Sequence, residues 1–311
     1  MLSLLDVTRL EDDIRALREM DYRRGGEPCL DRIRHLIRES VPLLVTSAPE
    51  KVRRRLHVAM ADLRNLAGWV CFDAGLVSSA HNHFCHALVL AGLARDDGLT
   101  ANVCYRLGRV HLHHGQPDEA LRYFDLGQLA AARSGDQLDA SILSVNAAWA
   151  HAKKGAEHEA RTLLDRGREQ FGAADRATSA GCTAFFTAGD LSALAGAVHA
   201  DLADTTDPRH ARTAVPLLTA AIDDYGEDMV RSRTFSLILL STTHLIAGDI
   251  DTGVSTGLRA LASAGTVGSA RVRDRLRPLA THAHTHRAHT GARDLARRIG
   301  AGIGTASLGT S

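Results

Sequence analysis

One stretch of this chain recurs at a fixed interval of forty residues, and its clearest copy reads Gly108-Arg109-Val110-His111-Leu112-His113-His114-Gly115-Gln116-Pro117-Asp118-Glu119-Ala120. A small residue precedes the central glycine of each copy by seven positions. An alanine follows that glycine after five positions and a large apolar residue after nine: Gly75 with Ala80 and Phe84, Gly115 with Ala120 and Phe124, Gly155 with Ala160 and Leu164. A repeat of this length indicates stacked supersecondary units, which usually serve as binding scaffolds.

The repeat has the register of a helical hairpin. If each glycine is position 15, the units begin at Ala61, Ala101 and Ser141, and the glycine ends the first helix where a positive φ is favoured. Small residues at positions 8 and 20 let the two helices of a unit approach closely. This pattern resembles the tetratricopeptide repeat. The resemblance implies an all-α fold, a tetratricopeptide-like right-handed superhelix (solenoid) of about six helical hairpins.

The composition limits the class of protein. Of 311 residues, 45% are hydrophobic and only 4% aromatic, so a core of alanine, leucine and valine is expected, which suits close-packed helices. A formal net charge of +1 provides no field that would hold the chain on nucleic acid. Five scattered cysteines without a paired spacing are typical of reduced thiols, and no stretch resembles a signal peptide or a membrane span. We therefore expect a cytoplasmic protein without membrane contact.

The repeat register divides the chain into four predicted regions. Residues 1–60 form an N-terminal helical cap, and residues 61–173 hold the three repeats of period forty. Residues 174–300 contain degenerate repeats and a C-terminal cap; helices are predicted over Gly181–Gly196 and Ala211–Tyr225, and a weaker copy is centred on Gly248. Residues 301–311 are rich in glycine and small polar residues, and we expect a disordered tail there.

Several segments are similar to the C-terminal part of actinobacterial regulators that join a helix-turn-helix domain to tetratricopeptide-like repeats. They are Leu17-Arg18-Glu19-Met20-Asp21-Tyr22-Arg23-Arg24-Gly25-Gly26, Leu66-Ala67-Gly68-Trp69-Val70-Cys71-Phe72-Asp73-Ala74-Gly75, Ala247-Gly248-Asp249-Ile250-Asp251 and Ser269-Ala270-Arg271-Val272-Arg273-Asp274-Arg275-Leu276. In that family the DNA-binding domain precedes the first segment, and here only five residues precede Asp6. We therefore expect no direct nucleic-acid binding by this chain, which is either a stand-alone sensor or the sensor part of a regulator whose DNA-binding domain is missing.

The register also predicts a ligand-binding groove. In this repeat type the first helix of each unit lines the concave face, at positions 2, 5, 9, 12 and 13 with position 6 close by. Asparagine amides there can bracket a peptide bond, arginine and lysine can hold a carboxylate, and tryptophan offers rigid apolar contact. Peptide-sensing quorum regulators of other bacteria use similar asparagines on a similar scaffold. The predicted groove residues are Asn65, Trp69, Asn102, Tyr105, Arg109, His113, Asn146, Trp149 and Lys153.

These features favour a non-enzymatic regulator or adaptor that binds a peptide, a small signal molecule or a partner protein. No cofactor is expected, and a homodimer is possible. The alternative interpretation of the same residues is structural: the two tryptophans plug the array and the asparagines bond neighbouring backbone.

Seventeen histidines suggest a second function class, a metal-dependent enzyme or metal-binding protein. The spacings His282–His286 and His286–His289 would place ring nitrogens on one helix face. However, His111, His151 and His244 all occupy position 11, normally a packing position in this repeat, and no zinc-protease, nucleophile-elbow or phosphate-loop motif occurs. We therefore predict no catalytic residue and no metal site.

Overall fold

The computed structural model describes residues 1–176, 182–183 and 185–306, and in these ranges it contains α-helices and no β-strand. None of the helices in the same ranges is long and apolar enough to cross a membrane. The described helices are α1 Leu4–Arg24, α2 Leu30–Ser40, α3 Glu50–Asp73, α4 Val77–Ala94, α5 Asp97–His113, α6 Pro117–Ser134, α7 Gln137–Lys153, α8 Glu157–Ala173, α9 Ala188–Thr205, α10 Ala211–Asp224, α11 Val230–Ile246, α12 Ile250–Ala264, α13 Ala270–Thr285 and α14 Thr290–Ala306.

Helix starts follow local sequence signals. Asp96 caps α5, since its carboxylate accepts a hydrogen bond from the Leu99 amide at 2.8 Å. Pro117 is the first residue of α6, where a backbone N–H would have no partner within the helix. Two acidic residues follow it in the first turn, where they interact favourably with the helix dipole. Ser3 and Thr187 form capping boxes at α1 and α9. The helix boundaries are thus encoded within a few residues of each turn.

The turn glycines have the conformation that the repeat requires. Gly75, Gly115, Gly155 and Gly248 have φ values of 83°, 72°, 71° and 81°, a region that L side chains rarely adopt. Each lies between the two helices of a hairpin, and the last belongs to the degenerate copy. From α3 to α14 the described helices follow one another as hairpins, so the predicted all-α, tetratricopeptide-like helical-repeat fold is confirmed.

Each of the first two hairpins is closed by a glycine facing a phenylalanine ring. A Cβ atom added at Gly68 would lie 2.6 Å from the Phe84 ring, and one at Gly108 would clash in the same way with Phe124. Both rings are fully buried. Position 8 of the repeat is therefore small because the aromatic side chain at position 24 of the same unit occupies the space above it.

The chain divides into two compact units, each with its own core. Unit 1 comprises Met1–Ala147 and Asp165–Phe186, and unit 2 comprises Ala148–Leu164 and Thr187–Ser311. The unit 1 core joins apolar residues of α1 to α5 and includes Cys182, whereas a unit 2 core joins residues of α9 to α14.

The four predicted regions were defined by sequence register and remain a prediction. Helix α14 extends as far as Ala306, into the segment expected to be disordered, and residues 307–311 lie outside the described residues. The helix predicted over Gly181–Gly196 falls partly outside them as well, and within them α9 begins at Ala188.

We expect Gly68→Ala to lower the free energy of unfolding by about 1–3 kcal/mol, because the added methyl group overpacks a buried ring. Gly92→Ala is the matched control: Gly92 is exposed in α4 with open space around it, and the change should raise stability by up to about 1 kcal/mol. Urea denaturation followed by circular dichroism measures both. Equal stabilisation by the two alanines would contradict the packing argument.

Candidate functional site

Two of the predicted groove asparagines meet on adjacent helices of unit 1. Asn65 of α3 donates from Nδ2 to Oδ1 of Asn102 in α5 at 2.9 Å, and both side chains are buried. Asn65 Oδ1 and Asn102 Nδ2 have no hydrogen-bond partner. If both amides were turned over, the pair would still leave one donor and one acceptor. Buried amide atoms normally find partners, and this pair keeps the capacity to accept from one N–H and to donate to one C=O group.

The third predicted asparagine differs from the other two. Asn146 Oδ1 accepts from Arg109 Nη1 at 2.8 Å, and Asn146 Nδ2 donates to the Ile142 carbonyl oxygen at 2.7 Å. Both ends of this amide are therefore used within the protein. Arg109 and Asn146 connect α5 to α7, and their contact matches the structural interpretation, whereas Asn65 and Asn102 each keep one polar atom without a partner.

Two arginines bring positive charge beside the asparagine pair. Arg106 is buried, donates to the Asn65 carbonyl oxygen at 3.0 Å and lies 5.2 Å from the centre of the Trp69 ring. Burial, and then the charge of Arg18, lower the pKa of Arg106. Arg18 of α1 pairs with Asp62 at 2.6 Å, but its Nη1 is buried without a partner. Arg18 Nη1 is therefore a buried guanidinium donor without an acceptor.

Aromatic rings cover the same face. The centre of the Trp69 ring lies 5.7 Å from that of Phe72 and 6.3 Å from that of Tyr105. The ring centres of Phe72 and His113 are 5.3 Å apart. Tyr105 in turn stacks on Phe185, with ring centres 6.1 Å apart and 18° between the ring planes. Five predicted groove residues, Asn65, Trp69, Asn102, Tyr105 and His113, are therefore linked through these contacts in unit 1.

The ring that stacks on Tyr105 belongs to the segment between α8 and α9. We call Cys182, Thr183, Phe185 and Phe186 the connector residues. Cys182, Thr183 and Phe186 are buried, and Cys182 belongs to the unit 1 core. The Phe186 carbonyl oxygen accepts from Arg176 Nη2 at 3.0 Å. The connector residues thus pack on the face that the sequence assigns to a ligand.

The two remaining predicted residues, Trp149 and Lys153, lie in unit 2. Trp149 is buried, and its indole N–H donates to the carboxylate of Asp201. The Lys153 ammonium lies 3.1 Å from the same carboxylate, and the Arg275 guanidinium lies 4.7 Å from the centre of the Trp149 ring. These contacts give both side chains partners inside unit 2.

The histidines contact separate hydrogen-bond and ion-pair partners and do not converge on one point as metal ligands would. His111 and His244, both at position 11, contact the side chain five residues later, Gln116 at 2.7 Å and Asp249 at 3.2 Å, and so hold the turn of the hairpin. The C-terminal histidines contact separate groups: His282 meets Asp204, His286 the Leu245 carbonyl oxygen and His289 Asp251. Within the described ranges, no three His, Cys, Asp or Glu side chains are grouped to hold a metal ion.

Sequence reasoning did not select Arg18, Arg106, Asp139 or the connector residues. Arg106 occupies position 6, so the register contained a signal for it, whereas the connector residues lie in a segment for which the sequence predicted a helix and which is not helical at these residues. Asp139 is buried and its Oδ2 has no hydrogen-bond partner. Burial, followed by the charges of Asp136 and Asp96, raises the pKa of Asp139 to about 8. Such a shift depends on tertiary surroundings that a local motif does not show.

The fold and the site define a helical-repeat protein with a polar and aromatic face. A search of solved structures finds the crystal structure of a Rap protein complexed with Competence and Sporulation Factor, with a TM-score of 0.56 and 12% sequence identity. The match covers 97% of this chain and 88% of the Rap chain. No protein-family model and no curated protein sequence matches the chain. At this identity the similarity establishes the fold alone.

The raised pKa of Asp139 predicts how stability changes with pH. The folded protein holds this proton more tightly than the unfolded chain, whose carboxyl has an ordinary pKa near 3.8. The contribution of Asp139 to the free energy of unfolding therefore falls as the pH rises from about 4 to about 8. We expect Asp139→Asn to raise the free energy of unfolding near pH 8 by roughly 1–4 kcal/mol, with a smaller gain near pH 5.

Urea denaturation at several pH values measures this difference. Asp125→Asn serves as the control, because Asp125 is exposed on α6 and its replacement should change little at any pH. A gain at Asp139 that stays constant between about pH 5 and pH 8 would show that ionisation of this carboxyl is not its cause.

Proposed function

We propose that this chain is a non-enzymatic regulatory protein that binds a short extended peptide on the α3–α5 face of unit 1. The observation that carries the proposal is the Asn65–Asn102 pair, with one donor and one acceptor left unfilled in a buried position. A peptide unit presents one N–H and one C=O, so an extended backbone supplies both missing partners.

The surroundings of the pair indicate what the peptide carries. Arg106 has no carboxylate in ion-pair contact among the described residues, and Arg18 Nη1 has no acceptor. A carboxylate, either at the peptide C-terminus or on an acidic side chain, would satisfy these donors. Trp69 and Tyr105 favour an aromatic or large apolar side chain beside it.

Two similarities support a regulatory role. The structurally similar Rap protein is complexed with Competence and Sporulation Factor, so a comparable fold holds a ligand there. The segments that resemble actinobacterial regulators include the end of α1 and the end of α3, beside the asparagine pair. We propose that the bound peptide is a signal and that the response passes to a partner protein or to a DNA-binding domain.

Selection from a random peptide library tests the proposal. Phage-displayed heptapeptides selected on the purified full-length chain would be synthesised with a fluorescent label, and their affinity measured by anisotropy. We expect Asn102→Ala to weaken binding about tenfold or more, since a lost hydrogen bond that strands a buried group costs about 1–3 kcal/mol.

Asn82→Ala provides a matched control, because Asn82 is exposed on α4 and is not part of the site. Its affinity should equal that of the wild type. Circular dichroism checks that Asn102→Ala is folded at the temperature of the measurement. If the selected peptides bind the folded Asn102→Ala protein as tightly as the wild type, the asparagine pair is not the binding site.

A further inference from the structure

The face proposed to bind a peptide is covered by the chain itself. Phe185 stacks on Tyr105, and Phe186 meets Phe185 at 6.2 Å and Phe171 at 5.7 Å between ring centres. Cys182 belongs to the core of unit 1, only 5% exposed. The charges that act on its thiol are those of Asp62, Asp139, Arg18 and Arg106, and Arg106 is the residue that donates to the Asn65 carbonyl oxygen. The connector residues therefore lie where the ligand is expected.

The connector residues satisfy the apolar part of the face and leave the polar part unsatisfied. Phe185 supplies an aromatic ring to Tyr105, and a backbone bond from the Phe186 amide to the Thr183 carbonyl oxygen uses groups of the connector itself. In the same unit, Asn65 Oδ1, Asn102 Nδ2 and Arg18 Nη1 remain without partners. A permanent core element normally satisfies the buried polar atoms that it covers. The connector residues instead behave like a poorly matched ligand, since they contact the aromatic ring of Tyr105 but give the polar atoms no partner.

We propose that the connector residues act as an internal ligand of the unit 1 site, and that a peptide with an aromatic side chain and a carboxylate displaces them. This inference rests on the proposed function and adds to it the mode of regulation and the ligand class. The peptide's ring replaces Phe185 on Tyr105, its backbone pairs with Asn65 and Asn102, and its carboxylate meets Arg18 and Arg106.

An internal ligand competes by mass action. A tethered segment acts at an effective concentration in the millimolar range, so it weakens the apparent affinity for a free peptide. The apparent dissociation constant rises in inverse proportion to the fraction of molecules whose site is open. A substitution that weakens the connector contact should therefore strengthen peptide binding, the opposite of what loss of a structural contact does.

The test compares peptide affinity in three forms of the full-length protein: wild type, Phe185→Ala and Phe235→Ala. Phe235 is a half-buried aromatic residue of unit 2, so its replacement controls for the loss of a ring elsewhere. The probe is a labelled Gly-Ser-Thr-Ala-Phe-Phe-Thr peptide with a free C-terminal carboxylate. It copies residues 181–187 with serine in place of cysteine. We expect about tenfold tighter binding to Phe185→Ala than to the other two proteins.

Thiol labelling reports on the connector directly. Cys182, Cys71 and Cys104 are equally buried, 5% exposed each, and Cys29 is fully buried, while Cys85 is exposed. After a timed reaction with N-ethylmaleimide, digestion and mass spectrometry give the labelled fraction of each cysteine. We expect the probe peptide, added to the wild type, and the Phe185→Ala change each to raise the labelling rate of Cys182 about tenfold. The other buried cysteines should keep their rates.

The outcomes separate this inference from the proposed function. Equal probe affinity for wild type and Phe185→Ala, or no binding to either, would overturn the internal-ligand role. A rise in Cys182 labelling that is matched at Cys29 and Cys104 would do the same, because it reports general unfolding. In either case the library peptides and Asn102→Ala still decide the proposed function. If those peptides ignore Asn102 while Cys182 labelling responds to Phe185→Ala, the proposed site fails instead.

Discussion

The close approach of a glycine to a phenylalanine ring, in the hairpin of α3 and α4 and again in that of α5 and α6, is the constraint on which the rest of unit 1 depends. Gly68 against Phe84 and Gly108 against Phe124 bring the two helices of a unit together at a distance that no side chain at position 8 would permit. Because the interior is nearly close-packed, this contact also sets where the next hairpin must lie. The distance between the two helices of each of these hairpins is therefore set by the absence of a side chain at Gly68 and Gly108.

That spacing explains why polar contacts recur at related separations. Asn65 meets Asn102 and Arg109 meets Asn146, each pair 37 residues apart, while Arg106 reaches the Asn65 backbone 41 residues away. The separation of 37 residues is shorter than the forty-residue period by about one helical turn, and the separation of 41 residues is longer than it by one residue. The first helices of adjacent units therefore place their side chains in the same register, which brings polar groups of neighbouring helices together.

The sequence was sufficient for the all-α repeat and its turn glycines, because both follow from local propensity and a fixed period. It placed Asn65 and Asn102 among the groove residues but did not predict that they bond each other. It did not distinguish Asn146 from the other two asparagines, since the difference lies in the neighbour: Arg109 satisfies Asn146, and no side chain satisfies the outer atoms of the pair. The position of Phe185 was also beyond sequence reasoning, because an irregular segment has no period from which its partner can be deduced.

Among its described residues, unit 1 has five buried polar atoms without partners: Arg18 Nη1, Asn65 Oδ1, Asn102 Nδ2, His111 Nε2 and Asp139 Oδ2. Each such atom destabilises the folded state by about 1–3 kcal/mol relative to a satisfied one. Burial raises the pKa of Asp139 to about 8, so protonation near neutral pH relieves part of that effect for this carboxyl. Protonation cannot relieve the effect for Arg18, Asn65 or Asn102, because an arginine side chain stays charged and an amide side chain does not titrate. In the proposed complex, the carboxylate and the backbone of the peptide would give these atoms partners, so peptide binding would also relieve this local destabilisation.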